Sequence, residues 1–314
     1  MDYWIVSAIN FRTHKFYKLF VCIIVLQLFS ISMAYSQFDI QGHRGCRGDM
    51  PENTIPAFIK AIESGVTTLE LDVVITADNK VLVSHEPFMS YVICKTPEGK
   101  EILKAEEKTF NIYKMSAEQA QKFDCGEKVH PGYPDQVKIK INKPLLSEVI
   151  DTVESYIAAN NLKPVWYNIE TKCMPSGDTV FHPDPSSFAD LVMQVVSSKN
   201  VLERTMIQSF DVRTLQHLHQ LRSKVQLVLL VENLKGVEYN LKNLGFAPSV
   251  YSPYYRLVNK QDIKLLHSKV IRVIPWTVNN EKDMKKLIDK GVDGIITDYP
   301  ERLRKCIASL NSDN

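Results

Sequence analysis

The stretch QGHRGCRGDMPENTIPAFIKAIESGVTTLELDVVITADNKVLVSHE, residues 41–86, decides how this chain is read. It begins at the end of a segment, 38–42, that reads as a strand, and passes through a loop into a helix predicted over 54–64. That helix would place Ala57, Phe58, Ala61 and Ile62 on one face. Asn53 or Thr54 can cap its start, and Gly65 ends it. A strand over 67–75 follows, then a short strand over 81–84 behind an Ala-Asp-Asn-Lys turn. His43 and Glu70 each fall at the end of a predicted strand, just before turn signals.

Outward from this unit the same alternation runs to the end of the chain. Helices are predicted over 146–160, 185–198, 212–221, 237–244, 259–268 and 281–290, and strands over 165–170, 205–209, 226–232, around Val250, over 270–278 and over 294–297. About eight strands in series, each leading to a helix or an irregular loop, favour a (β/α)8 TIM barrel of the α/β class over an open sheet. Residues 87–143 break the rhythm with Pro, Gly and Lys and one helix near 116–123. They read as a small subdomain inserted after the second strand. Polar residues of chemical interest sit where predicted strands end: His43, Glu70, Asp72, Glu170, Gln208, Glu232, Trp276 and Asp298. A barrel brings those ends to one face.

The chain has 314 residues, 45% hydrophobic and 24% charged, which is ordinary globular composition. A net charge of +2 gives no global attraction to nucleic acid or to an anionic membrane, and no nucleic-acid partner is expected. Residues 1–36 read as a signal peptide. Arg12, Lys15 and Lys18 precede the apolar run LFVCIIVLQLFSISM, and the small residues Ser32, Ala34 and Ser36 follow. The run is short of the roughly 20 residues of a membrane span. The expectation is export to the periplasm or the medium, with no stable membrane insertion after cleavage and a mature domain over 37–310. Of six cysteines, Cys22 lies in the leader, so five remain and at least one is unpaired. Cys94–Cys125 and Cys46–Cys173 are the candidate bridges, and five free thiols are the alternative. No CxxC pair is present, which argues against structural zinc. The oligomeric state is left open.

Glu70 and Asp72 are two residues apart on a strand and share a face. With Glu170 they can offer three carboxylates to one hard cation, calcium or magnesium rather than zinc. His43 and His85 bracket the acidic pair and can move protons near neutral pH. Gly42 and Gly45 permit a tight turn around His43 and Arg44, whose planar fork suits two phosphate oxygens. Lys172 shares the face of Glu170 and adds positive charge there, while Asn168 on the same face helps hold the site. Trp276 can pack against substrate or belong to the barrel core. No P-loop, GxSxG or HExxH motif occurs.

Taken in order, these residues resemble the glycerophosphodiester phosphodiesterase family. The resemblance is carried by His43-Arg44-Gly45, Pro51-Glu52-Asn53-Thr54, Glu70-Leu71-Asp72, Thr76-Ala77-Asp78, His85, Glu170-Thr171-Lys172, Trp276-Thr277-Val278-Asn279, and the run from Gly291 to Pro300. It covers residues 40–303. It implies metal-dependent hydrolysis of a small glycerophosphodiester to sn-glycerol 3-phosphate and an alcohol. By position it implies His43 and His85 as the acid–base pair, and Glu70, Asp72 and Glu170 as ligands of calcium or magnesium. Arg44 and Lys172 would hold the phosphate, and Glu52 would add to the metal or phosphate shell. One departure is Glu86, where the family usually has Asp after the second histidine. Two alternatives stand beside this reading. One is a lysophospholipase D-like enzyme whose acyl chain enters past Phe88, Met89, Tyr91, Val92 and Ile93. The other is a binding protein without turnover.

Overall fold

Strand β1 (Asp39–Gly42) opens the computed structural model, which describes residues 38–312. The predicted leader lies outside the described residues. After a tight loop comes α1 (Ile55–Glu63), capped by Thr54, whose hydroxyl accepts from the Ala57 amide. Pro56 fits in the first turn, where an amide hydrogen would have no partner. Its buried face is Ala57, Phe58, Ala61 and Ile62, as the 3.6-residue period requires. Burying Phe58 and Ile62 stabilises this packing by roughly 2 kcal/mol each.

The remaining elements are β2 (Thr68–Ile75), β3 (Val81–Val83), α2 (Ala117–Ala120), α3 (Leu146–Ala159), β4 (Trp166–Thr171), α4 (Pro185–Ser198), β5 (Thr205–Ser209), α5 (Val212–Gln220), β6 (Gln226–Val231), α6 (Val237–Leu244), β7 (Val250–Pro253), α7 (Lys260–Ser268), β8 (Arg272–Val273), α8 (Glu281–Lys290), β9 (Gly294–Thr297) and α9 (Pro300–Ser312). Eight strands run parallel in the order β8-β7-β6-β5-β4-β2-β1-β9. Backbone bonds from Asp293 N to Val273 O (2.9 Å) and from Ile296 N to Pro275 O (3.0 Å) bring the two ends of that order together. The result is a nearly closed (β/α)8 TIM barrel. Among the described residues no helix is long and apolar enough to cross a membrane.

Two strands differ from their sequence reading. The last-but-one was expected over 270–278, but β8 covers only Arg272–Val273. Val270 has φ of +59°, outside the extended region, and Pro275 has no amide hydrogen for a ladder. The short strand at 81–83 stays out of the barrel and pairs antiparallel with the end of β2, Val73 opposite Val83. Glu70 is therefore not at a strand end, because β2 runs on past it to make this hairpin.

All eight positions of β2 are buried, since helices cover one side and the barrel interior takes the other. The interior is divided. Met206, Val228, Val250, Ile274 and Ile296 form an apolar half, with Trp166 and Trp276 packed on it. Gln41, Asn168 and Gln208 form a hydrogen-bonded polar half, Asn168 Nδ2 donating to Gln41 Oε1 (2.8 Å) and Gln208 Oε1 (3.1 Å).

The insertion has its own core of Met89, Cys94, Ile102, Ile112, Ala120, Phe123 and Cys125, seated on Val74 and Leu82. Met89, Tyr91 and Ile93, read as a candidate entrance for an acyl chain, are used in this packing. A disulfide joins Cys94 to Cys125, while Cys46, Cys173 and Cys306 are buried free thiols. The alternative Cys46–Cys173 bridge does not form, because Cys46 Sγ turns to Asp49 and Cys173 Sγ to Asp211 and His182.

Candidate active site

The loop after β1 turns back at once. Arg44 has φ of +52° and Gly45 φ of +87°, and a Cβ on Gly45 would lie 2.7 Å from the Ala57 carbonyl carbon. Only glycine fits there. The turn aims the Arg44 amide at Glu70 Oε2, 2.8 Å away, so the histidine loop and the first acidic strand are fixed together.

Parallel register sets the carboxylates side by side. Glu70 pairs with Asn168 and Asp72 with Glu170 across β2 and β4. One oxygen each of Glu70, Asp72 and Glu170 lies within 4.8 Å of the others. All three side chains are buried. At an effective dielectric of about 20, each like-charged pair at that distance costs roughly 3 kcal/mol. Burial, and then the neighbouring Asp72, push the Glu70 carboxyl well above the usual carboxylate range. Burial also raises Glu170, against the pull of Lys172. Burial works against Asp72 too, but Arg44, His85 and Lys172 hold it well below its ordinary value.

The remaining lone pairs show where a cation would go. Gln208 Nε2 donates to Glu70 Oε1 (2.7 Å) and Asn53 Nδ2 to Asp72 Oδ2 (2.9 Å). Asp72 Oδ1 is buried and accepts no hydrogen bond. An orphaned carboxylate oxygen between two further carboxylates fits a hard divalent ion. Lys172 Nζ lies 2.7 Å from Glu170 Oε1 and 3.7 Å from Asp72 Oδ1, beside the same cluster.

The two histidines are held alike. His43 Nδ1 meets Asp298 Oδ1 at 2.7 Å, and His85 Nδ1 meets Glu86 Oε1 at 2.8 Å. Each ring thereby leaves Nε2 for a ligand. Burial pushes the His43 imidazole down to about 4, Arg47 adds to this, and Asp298 only partly opposes it. Glu86 keeps a carboxylate on the second histidine despite its extra methylene, and that hydrogen bond lowers its own titration. His43, Arg44, Glu70, His85, Glu170, Lys172 and Trp276 line one cavity of about 220 Å³, together with Arg47, Gln208 and Phe210. The residues singled out from sequence for catalysis, phosphate or metal binding are thus at or against this cavity, Asp72 by its contacts with the others and Glu52 only through Arg44. Glu232 is exposed and not among its lining residues.

The sequence matches the glycerophosphoryl diester phosphodiesterase family over residues 43–302. The chain belongs to that family. It is 28% identical over 270 residues to a glycerophosphodiester phosphodiesterase of Bacillus subtilis, covering 84% of each chain. It is 23% identical over 286 residues to the lysophospholipase D GDPD1 of Homo sapiens, covering 86% of each. A solved structure from Silicibacter pomeroyi, of a chain named for the same family, superposes with a TM-score of 0.77 at 26% identity. That match covers 87% of this chain and 94% of the other.

In this phosphodiesterase-family chain, three residues have jobs that the sequence did not disclose. Asp298 stood out as a polar strand end and as part of the run from Gly291 to Pro300, with no role attached to it. It is fully buried, and besides His43 it receives Arg47 Nε (2.8 Å), Tyr133 Oη (2.6 Å) and Asn279 Nδ2 (2.6 Å). Burial opposes its charge, but His43 and Arg47 hold it well below the usual range. Arg47 gave no signal at all. Glu52 is outside the carboxylate cluster and instead takes Arg44 Nη1 on both oxygens, at 2.9 and 3.0 Å. Burial raises it, yet Arg44 and Arg47 bring it down to about 2. A second group, Cys173, Asp178 and His182, is satisfied internally. His182 Nδ1 donates to Pro183 O (2.8 Å), and Arg213 pairs with Asp178 (2.7 Å).

Proposed function

We propose that this chain hydrolyses glycerophosphodiesters to sn-glycerol 3-phosphate and an alcohol, with calcium or magnesium bound by Glu70, Asp72 and Glu170. The observation that carries the reading is one cavity lined by two carboxylate-oriented histidines, three cationic side chains and members of a buried carboxylate triad. Family membership and the Bacillus relative support the substrate class. A bound cation would supply positive charge to the phosphoryl oxygens and neutralise the triad.

The chain's own residues do the rest. Arg44 and Lys172 hold the phosphodiester and oppose the charge that builds in the transition state. His43, neutral at pH 7 because burial and Arg47 disfavour its charge, takes at Nε2 the proton of the substrate's 2-hydroxyl as that oxygen attacks phosphorus, and returns it when water opens the resulting cyclic phosphate to sn-glycerol 3-phosphate. His85, at the more open edge, gives a proton to the leaving alkoxide. Export through the leader over 1–36 would place this activity outside the cytoplasm, on small deacylated substrates.

The test is release of glycerol 3-phosphate from glycerophosphocholine, first with EDTA and then with calcium or magnesium restored. Metal-dependent release is the expected result, and silence on several head groups in a folded, metal-loaded protein would overturn the reading. A lysophospholipase D activity is favoured by one observation: Phe210 and Trp276 meet edge to face at the cavity, ring centroids 5.4 Å apart, as an apolar wall. Faster turnover of lysophosphatidylcholine than of glycerophosphocholine would establish it.

A further inference from the structure

We infer that Tyr133, a residue of the inserted subdomain, is a positioning residue for His43, acting through the Asp298 carboxylate. The inference rests on the phosphodiesterase reading and adds to it a residue from outside the barrel.

The geometry is a relay of two short contacts on one carboxylate. Tyr133 Oη donates to Asp298 Oδ2 at 2.6 Å, and Asp298 Oδ1 receives His43 Nδ1 at 2.7 Å. Oδ2 also takes Asn279 Nδ2 (2.6 Å) and Arg47 Nη2 (3.1 Å), and Oδ1 takes Arg47 Nε (2.8 Å). An ionised carboxylate offers about four lone-pair directions, so these donors use them all and fix the plane of the group. Tyr133 is the only one of them that comes from the insertion. Asp298 is fully buried, so water cannot replace a lost hydroxyl without entering the core.

The insertion is built to keep this hydroxyl in place. The Tyr133 ring covers the Arg47 guanidinium at 4.9 Å. Three residues on, Gln136 Nε2 donates to Arg47 O (2.6 Å) and Met50 O (2.8 Å), and Val137 N donates to Asp49 O (2.9 Å). Further along, Cys125 N donates to Ile141 O at 2.7 Å, which ties this arm to the disulfide. The barrel loop that carries His43 and the insertion are therefore fastened at several points, and the Tyr133–Asp298 bond is the one that reaches the histidine.

The test is a double-mutant cycle in the full, metal-supplied chain, using Tyr133→Phe, which keeps the ring over Arg47, and His43→Ala. With glycerophosphocholine, Tyr133→Phe is expected to lower kcat about tenfold and to leave KM within about twofold. In the His43→Ala background the same change is expected to cost less than about twofold, since the ring it positions is gone. Wild-type kcat in Tyr133→Phe, or an equal loss in both backgrounds, would overturn the inference. A second readout needs no turnover. The His43 Nδ1 proton should give a downfield proton resonance that vanishes in His43→Ala and shifts in Tyr133→Phe. An unmoved resonance would also overturn the inference, whereas a wild-type chain inactive on glycerophosphodiesters would refute only the substrate reading.

Discussion

His43 is a buried imidazole squeezed between opposing charges. Desolvation and Arg47 disfavour its protonated form, Asp298 favours it, and the balance leaves it titrating at about 4. Two outcomes follow. First, His43→Ala and His85→Ala should each lower kcat by about 10²–10⁴-fold, the range typical of a lost general acid or base. Circular dichroism and thermal melting should show the barrel intact, and near-normal turnover in either variant would remove its assigned role. Second, with calcium or magnesium kept saturating at each pH, kcat/KM should hold as pH falls through 6.5 and decline only nearer 4, because His43 stays neutral below the ordinary imidazole value. A protonation limb at or above 6.5 would contradict the buried environment. Stability has the matching sign. Between about 4 and 6.5 the unfolded chain binds a proton at this residue that the folded chain does not, so His43 makes the fold less stable as pH falls through that window. The two histidines were legible in sequence because each sits beside turn signals next to a strand. Asp298 was not, because its contact with His43 spans 255 residues and exists only once the barrel has closed.

At the scale of elements, the strands and helices were legible wherever one periodicity held without interruption. The four buried residues of α1 and the full length of β5 follow directly from the pattern. β8 was overdrawn because the apolar run was read through Pro275, which is visible in the sequence, and because the left-handed backbone at Val270 leaves no mark there. The insertion was legible only as a break in rhythm, since its core is assembled from short turns whose contacts are non-local. Its disulfide, one of two candidate bridges neither of which followed from the sequence, closes a loop of sequence separation 31. In a chain-entropy account that cross-link stabilises the fold by roughly 3–4 kcal/mol. The Cys94→Ser/Cys125→Ser variant should therefore lose about that much in chemical denaturation. Amide exchange should speed up first at Ile112, Ala120 and Phe123, which pack on the bridge. An unchanged denaturation midpoint would remove the bridge as a source of stability.

At the scale of the whole molecule, the barrel gathers into one layer charges that the sequence spreads over more than two hundred residues. Such a site is costly to fold when empty. Glu70 is pushed well above its ordinary value by burial and by Asp72, so above pH 4.5 the folded chain holds a proton that the unfolded chain releases. With more protons bound in the folded state, this group lowers stability as pH rises. A divalent cation bound by Glu70, Asp72 and Glu170 would replace that proton and would satisfy the orphaned Asp72 carboxylate. Calcium or magnesium at about 100 times its Kd should then stabilise the fold by roughly 2.7 kcal/mol, a rise in Tm of roughly 5–10 °C. The rise should grow as pH increases from the ordinary carboxylate value of 4.5, where protons compete for Glu70, and EDTA should reverse it. The linked titration of His43 acts on the apo and loaded chains alike and largely cancels in the difference between them. Asp72→Asn should shrink the rise by removing a ligand charge. Calorimetry across that pH range decides the matter: a Tm indifferent to both ions, or an undiminished rise in Asp72→Asn, would mean that the triad is not the metal site.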